Sequence, residues 1–110
     1  MFKFLKEYLY RKKLDKVKKK FKLDTTCRIS TESAIFLLRG SNNSDLSVGK
    51  NVILAGKIMS AYNGKITLGD YSQIGAGSII RCVDKVYIGE LTAISTNVVI
   101  ADNNSHPVNP

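Results

Sequence analysis

The chain has 110 residues, enough for one small domain with a modest core. Its net charge of +8 is unevenly placed, because residues 1–23 hold ten of the 17 Lys and Arg residues and residues 24–110 are neutral overall. The larger part of the chain therefore offers no basic field for nucleic acid. No segment approaches the roughly 18 apolar residues of a membrane span, and the start lacks the apolar core of a secretory signal, so we expect a cytoplasmic protein.

Residues 1–27 form a basic arm that we expect to be helical. Its second half has apolar residues at helical spacing, and its first half has another apolar stripe. The two stripes are Tyr10, Leu14, Val17 and Phe21, and before them Phe2, Leu5, Tyr8 and Leu9. At about 100° per residue they point to nearly opposite sides, so one uniform amphipathic helix is not expected.

Three roles are open for this arm. It could cover the open N-terminal end of a repeat structure, since terminal repeats need caps. It could instead make a peripheral contact with an anionic membrane at the inner face, where each Lys or Arg is worth on the order of 1 kcal/mol. Nucleic-acid binding is the weakest alternative because the arm has no base-reading or stacking pattern, and we expect no nucleic-acid partner.

The cysteines indicate neither a metal site nor a disulfide framework. Cys27 and Cys82 lack CxxC spacing, and no histidine cluster accompanies them. We therefore expect reduced thiols and no metal.

Residues 28–110 carry a 20-residue repeat. The repeat aligns three columns, in which a small residue follows eight of the nine positions. The columns are Val48, Leu68 and Ile88; Leu54, Ile74 and Ile94; and Ser60, Ile80 and Ile100. Successive columns are six residues apart, so each unit is three hexads plus two residues, which predicts a parallel β-helix with three short strands per coil.

Turn-forming residues predict where the coils change direction. The columns Gly64, Asp84, Asn104 and Lys57, Gly77, Asn97 contain mostly residue types that tolerate positive φ. Upstream, Ile29 and Ile35 are again six apart, so residues 28–47 are expected to form an irregular first coil with a polar loop at 41–45.

The single histidine lies in the segment Ser105-His106-Pro107, four residues after Asp102. With the hexads, this segment resembles the hexapeptide-repeat acyltransferases, particularly the sugar and polysaccharide O-acetyltransferases. The resemblance covers residues 28–110. It implies an all-β, left-handed parallel β-helix and acetyl-coenzyme A (acetyl-CoA) or another acyl-CoA as co-substrate. It also implies a sugar or polysaccharide acceptor and a homotrimer.

The resemblance also implies roles for three residues. His106 would be the general base that takes a proton from the acceptor hydroxyl. Asp102 or Asn104 would orient the imidazole of His106. The alternative for Asp102 and Asn104 is corner formation alone, and the alternative for His106 is to continue the wall column of Ile66 and Val86.

The resemblance ends almost directly after the His-Pro pair, whereas family members continue through further coils that form much of the acyl-CoA site. We therefore expect the 110-residue chain to be incomplete at its C-terminus, marginally stable and a poor acyl-CoA binder. The alternative function is a non-catalytic β-helix scaffold, or a truncated inactive fragment, attached through the basic arm.

Overall fold

The computed structural model describes residues 2–102, which form an N-terminal helix and a parallel β-helix. Helix α1 spans Phe2–Phe21, and a short 3-10 helix spans Asn43–Asp45. The strands are β1 (Arg28–Ile29), β2 (Ala34–Leu38), β3 (Leu46–Val48), β4 (Ile53–Leu54), β5 (Lys57–Ala61), β6 (Lys65–Leu68), β7 (Gln73–Ile74), β8 (Ile79–Cys82), β9 (Lys85–Ile88), β10 (Ala93–Ile94) and β11 (Val99–Ala101).

The strands form three parallel sheets that enclose one core. The first sheet has the order β1-β4-β7-β10, the second β2-β5-β8-β11 and the third β3-β6-β9. Neighbouring strands of a sheet come from successive coils, so each of the first three coils contributes one strand to each sheet, and the last described coil contributes β10 and β11. The predicted parallel β-helix is confirmed.

Two of the three predicted columns are confirmed by the strand register. Val48, Leu68 and Ile88 stack through the third sheet, and Leu54, Ile74 and Ile94 stack through the first. Most of these side chains belong to the buried core, with Val48 and Ile94 packed at its margin. Burying a Leu or Ile side chain is worth about 1.5–3 kcal/mol, so the stacked aliphatic columns hold the coils together.

The third predicted column is wrong at its first position. In the second sheet Ile80 pairs with Ile58 and with Ile100, while Ser60 pairs with Cys82. From Leu54 the chain reaches this column after four residues, whereas from Ile74 it needs six. The next corner of this coil is two residues longer than the same corner of the following coil. Both coils therefore have 20 residues, and the repeat length does not reveal the shift.

The predicted corner residues are partly confirmed. Gly77 has φ +76° and Asn97 has φ +55°, as the second corner column requires. Gly64 and Asp84 do not have positive φ, so the first corner column is wrong for these two, and Asn104 lies outside the described residues. The corner after β5 turns instead at Tyr62 and Asn63, the two residues before Gly64.

A further column with positive φ forms the corner between the third and first sheets. Asn51, Tyr71 and Leu91 have φ of 56°, 61° and 61°. Of these three residue types only asparagine favours positive φ, so the residue types did not predict this column.

The first coil is irregular and contains the predicted polar loop. Asn42 and Asp45 form a capping box around the 3-10 helix, in which the Asp45 carboxylate accepts from the Asn42 backbone N–H at 2.9 Å. Ile29 lies in the core and Ile35 packs against it. The prediction of an irregular first coil at residues 28–47 with a polar loop is therefore confirmed.

Helix α1 packs on the first coil, on the side away from the second coil. Phe21 is buried, and Leu14 and Val17 pack against the same core cluster. The Tyr10 hydroxyl donates to the Ile29 carbonyl oxygen, and the Lys13 ammonium donates to the Thr31 carbonyl oxygen at 2.9 Å. The capping role is confirmed for the second half of the helix.

The helix is continuous, but its apolar residues do not share one side. The second half packs on the coil, whereas Phe4, Leu5, Tyr8 and Leu9 in the first half are exposed. Within residues 2–102 no helix has both the length and the apolar character needed to cross a membrane.

Candidate functional site

The structure locates one of the three predicted site residues. Asp102 directly follows β11, on the last described coil. His106 and Asn104 lie outside the described residues. The site is therefore built from Asp102 and the corner that it contacts.

The Asp102 carboxylate binds the corner of the preceding coil. Its Oδ1 accepts the backbone N–H of Val83 at 2.9 Å. Its Oδ2 accepts the backbone N–H of Asp84 at 2.8 Å and that of Lys85 at 2.6 Å. Because three consecutive N–H groups converge on one charged acceptor, the start of the next corner is tied to the corner between β8 and β9.

These contacts set the protonation of two neighbouring groups. Burial opposes ionisation of Asp102, but the three backbone N–H bonds outweigh it and hold the pKa of its carboxyl below the usual value. The pKa of the Cys82 thiol is raised to about 11, first by burial and then by its contact with the Asp102 carboxylate. Asp102 is therefore a fixed anion, and Cys82 stays a neutral thiol.

The same corner carries a second carboxylate, in the first coil. Asp45 is only 2 % exposed, and its carboxylate forms an ion pair with Lys65 of the next coil. The Asn63 side-chain amide also donates to it, at 3.1 Å. The Lys65 ammonium first, and then the Asn42 backbone N–H, hold the pKa of Asp45 down to about 2.

Sequence reasoning missed the Asp45–Lys65 pair because the two residues are 20 positions apart and neither belongs to an aliphatic column. The available signal was this spacing itself, since residues one repeat apart stack on adjacent coils. Asp45 and Asp102 perform the same task on different coils, which is to satisfy donors at a corner.

The corner role of Asp102 is directly visible, and its role toward an imidazole stays a prediction. Its Oδ2 already accepts two N–H groups and lies 3.5 Å from the Cys82 sulfur. Its Oδ1 accepts one N–H group, which leaves one further acceptor position on that oxygen.

Two grooves border the coils elsewhere on the described residues. The one of about 530 Å³ runs between the second half of α1 and the first coil, and Tyr10, Leu14, Val17 and Ile35 are among its lining residues. A smaller groove of about 240 Å³ lies at the corner around Gly56. Neither groove includes Asp102. Within residues 2–102 no three His, Cys, Asp or Glu side chains come together as metal ligands.

Comparison of the chain with protein-family models, with curated proteins and with solved structures gives no match. The resemblance to the acyltransferases therefore rests on the hexads and on the Ser105-His106-Pro107 segment.

Proposed function

We propose that the chain is the β-helical part of an acyl-CoA-dependent O-acyltransferase that transfers an acetyl group to a hydroxyl of a sugar or polysaccharide precursor. The observation that carries the proposal is the anchoring of Asp102. Its three backbone contacts fix a point of the chain four residues before His106 in the Ser105-His106-Pro107 segment. A left-handed coil and a homotrimer are part of the same proposal.

In the proposed reaction His106 is the general base. Its neutral imidazole takes the proton of the acceptor hydroxyl as the hydroxyl oxygen attacks the thioester carbon of acetyl-CoA. The new C–O bond forms, the C–S bond breaks, and the imidazolium returns its proton to the departing thiolate of coenzyme A. No covalent intermediate with the protein is needed. A backbone N–H group stabilises the oxyanion.

Asp102 acts in this proposal as a positioning residue. The backbone N–H groups of Val83, Asp84 and Lys85 hold its carboxylate in place. In this proposal Asp102 therefore fixes the start of the segment that leads to His106. The free acceptor position on Oδ1 is compatible with an additional bond to an imidazole N–H.

The outward side of the second sheet is the surface that we propose for contact between subunits. It is the most apolar of the three sides, and it extends over all four coils. Its apolar members are Ala34, Phe36, Leu38, Met59, Ala61, Ile79, Val99 and Ala101. By contrast, the outward side of the third sheet carries Ser47, Lys65, Thr67, Lys85 and Tyr87. Lys57 and Arg81 are the charged residues on this outward side, and apolar residues surround them. A mainly apolar side is typical of obligate subunit contacts.

The proposal is tested by supplying acetyl-CoA and a mixture of crude glycans to the protein as its own cells make it. Mass spectrometry would identify which hydroxyl compound gains an acetyl group. We expect His106→Ala to lower turnover by about 100-fold or more, the usual scale for loss of a general base. Tyr87→Phe, on the third sheet, is the matched control and should leave turnover unchanged. Absence of transfer to every glycan would favour the non-catalytic scaffold.

A further inference from the structure

The first half of α1 exposes four large apolar side chains. Phe4 is 80 % exposed, and Leu5, Tyr8 and Leu9 are each 55 % exposed. No other part of the described residues covers them. Isolated exposed leucines are ordinary, but four within six residues of one helix form a patch that calls for a partner.

This patch faces away from the β-helix. Residues of an α-helix are about 100° apart around its axis, which places the centre of the patch about 180° from the stripe that packs on the first coil. The packed stripe includes Leu14, Val17 and Phe21. A partner can therefore contact the patch without displacing the first coil.

Lysines continue the outward side through the second half of α1. Lys12, Lys16 and Lys19 follow the apolar patch at the same angles, and all three are exposed. The Lys12 ammonium lies 5.2 Å from the centre of the Tyr8 ring, where the apolar and basic parts meet. The whole helix has nine Lys and Arg residues against two acids, a net charge of +7.

We infer that α1 is an interfacial helix that lies flat on an anionic lipid surface, with the β-helix packed on its opposite side. The apolar patch enters the boundary between headgroups and acyl chains, and the lysines contact the anionic headgroups. Each lysine near such a surface strengthens binding about fivefold. Nucleic acid would bind the lysines but would leave the apolar patch in water. The inference goes beyond the proposed acyl transfer and does not depend on it.

The packing of α1 on the first coil also sets the orientation of the β-helix. The first coil lies nearest to the lipid, and Asp102 lies three coils further away. Because parallel strands are about 4.8 Å apart, Asp102 stands roughly 14 Å above the first coil and further than that from the helix.

The absence of tryptophan from the chain makes this geometry measurable. Tyr8→Trp places a single tryptophan in the patch, and Tyr87→Trp places one on the third sheet, where Tyr87 is 68 % exposed. Both variants are mixed with vesicles of phosphatidylcholine and phosphatidylglycerol that contain brominated acyl chains. We expect a blue shift and strong quenching for Tyr8→Trp, and neither for Tyr87→Trp. Quenching of both or of neither would overturn the inference.

Charge variants test the basic part of the surface. Replacing Lys12, Lys16 and Lys19 with glutamine should weaken vesicle binding on the order of 100-fold. The matched control replaces Lys57, Arg81 and Lys85 with glutamine, which removes the same charge from the β-helix. The control should bind within about threefold of the original chain, as lipid binding is governed by charges near the surface. Equal losses in the two variants would contradict the inference.

Variants that lack apolar side chains distinguish a lipid surface from RNA or a second copy of the chain as the partner of the patch. Leu5→Ser with Leu9→Ser should weaken vesicle binding at least tenfold, because binding scales with the apolar area that enters the lipid. Far-UV circular dichroism should remain unchanged, since both side chains are already exposed. Equal binding to neutral vesicles, loss of vesicle binding on addition of RNA, or self-association through the patch without lipid would each overturn the inference.

Discussion

Replacing Ser60 with isoleucine is expected to destabilise the β-helix by about 2–6 kcal/mol. The Ser60 side chain is fully buried in the second sheet, beside Cys82 of the next coil. Its hydroxyl donates to the Gly64 carbonyl oxygen at 2.6 Å and pairs with the Ser41 hydroxyl at 2.9 Å.

The magnitude has two parts. Forcing three additional carbon atoms into a closed interior costs about 1–3 kcal/mol. Loss of the hydroxyl leaves the buried Gly64 carbonyl oxygen without its side-chain donor, which costs about 1–3 kcal/mol more. The sum is a large fraction of the roughly 5–15 kcal/mol by which small domains are stable.

Urea unfolding followed by far-UV circular dichroism measures the effect, and the midpoint should fall by about 1–3 M. Ser60→Cys is the matched control, because it places in this column the same thiol that Cys82 supplies one coil later, and it should cost less than Ser60→Ile. If Ser60→Ile is as stable as the original chain or more stable, Ser60 belongs to the aliphatic column of Ile80 and Ile100, and the register described above is refuted.

Three further predictions follow from individual residues. The pKa of Asp45 is about 2 in the folded chain, below its usual value of 3.8, so its contribution to the free energy of unfolding is complete above about pH 4 and is lost as the pH falls toward 2. Urea unfolding from pH 7 to pH 2 should show this loss, and Asp45→Asn should flatten the pH dependence. The Cys82 thiol, with a pKa of about 11, should react with a disulfide reagent at pH 8 only after unfolding, whereas Asp102→Ala should accelerate labelling of the folded chain by opening the corner. Leu91 has φ +61°, which strains any residue with a Cβ atom, and its side chain is 78 % exposed. Leu91→Gly should therefore stabilise the fold by about 1 kcal/mol and raise the thermal midpoint, and a lower midpoint would contradict the presence of strain.

Much of the fold could be predicted from the repeat, because stacked aliphatic residues must recur once per coil. Val48, Leu68 and Ile88 lie one above another as their 20-residue spacing requires. The same spacing misplaced Ser60, because a short corner at Gly56 and a long one at Tyr62 compensate within a single coil. A repeat length records only the sum of the corners, so it cannot locate such an exchange.

The candidate site was less predictable than the fold. The sequence indicated Asp102 from its distance to His106, and its contacts with Val83, Asp84 and Lys85 emerged only from the stacking of adjacent coils. Local residue types likewise did not predict positive φ at Leu91, since tertiary stacking imposes that conformation on an unfavourable side chain.

The most direct test of the proposed chemistry is the pH dependence of kcat/KM for acetyl transfer, measured with the protein as its own cells make it. The imidazole of His106 accepts the hydroxyl proton only when it is neutral. The account therefore predicts a rate that rises with pH as one group loses its proton and then levels off. In His106→Ala the rise should disappear, and the plateau rate should fall about 100-fold. A His106→Ala protein that keeps both the plateau rate and the rise would contradict the account.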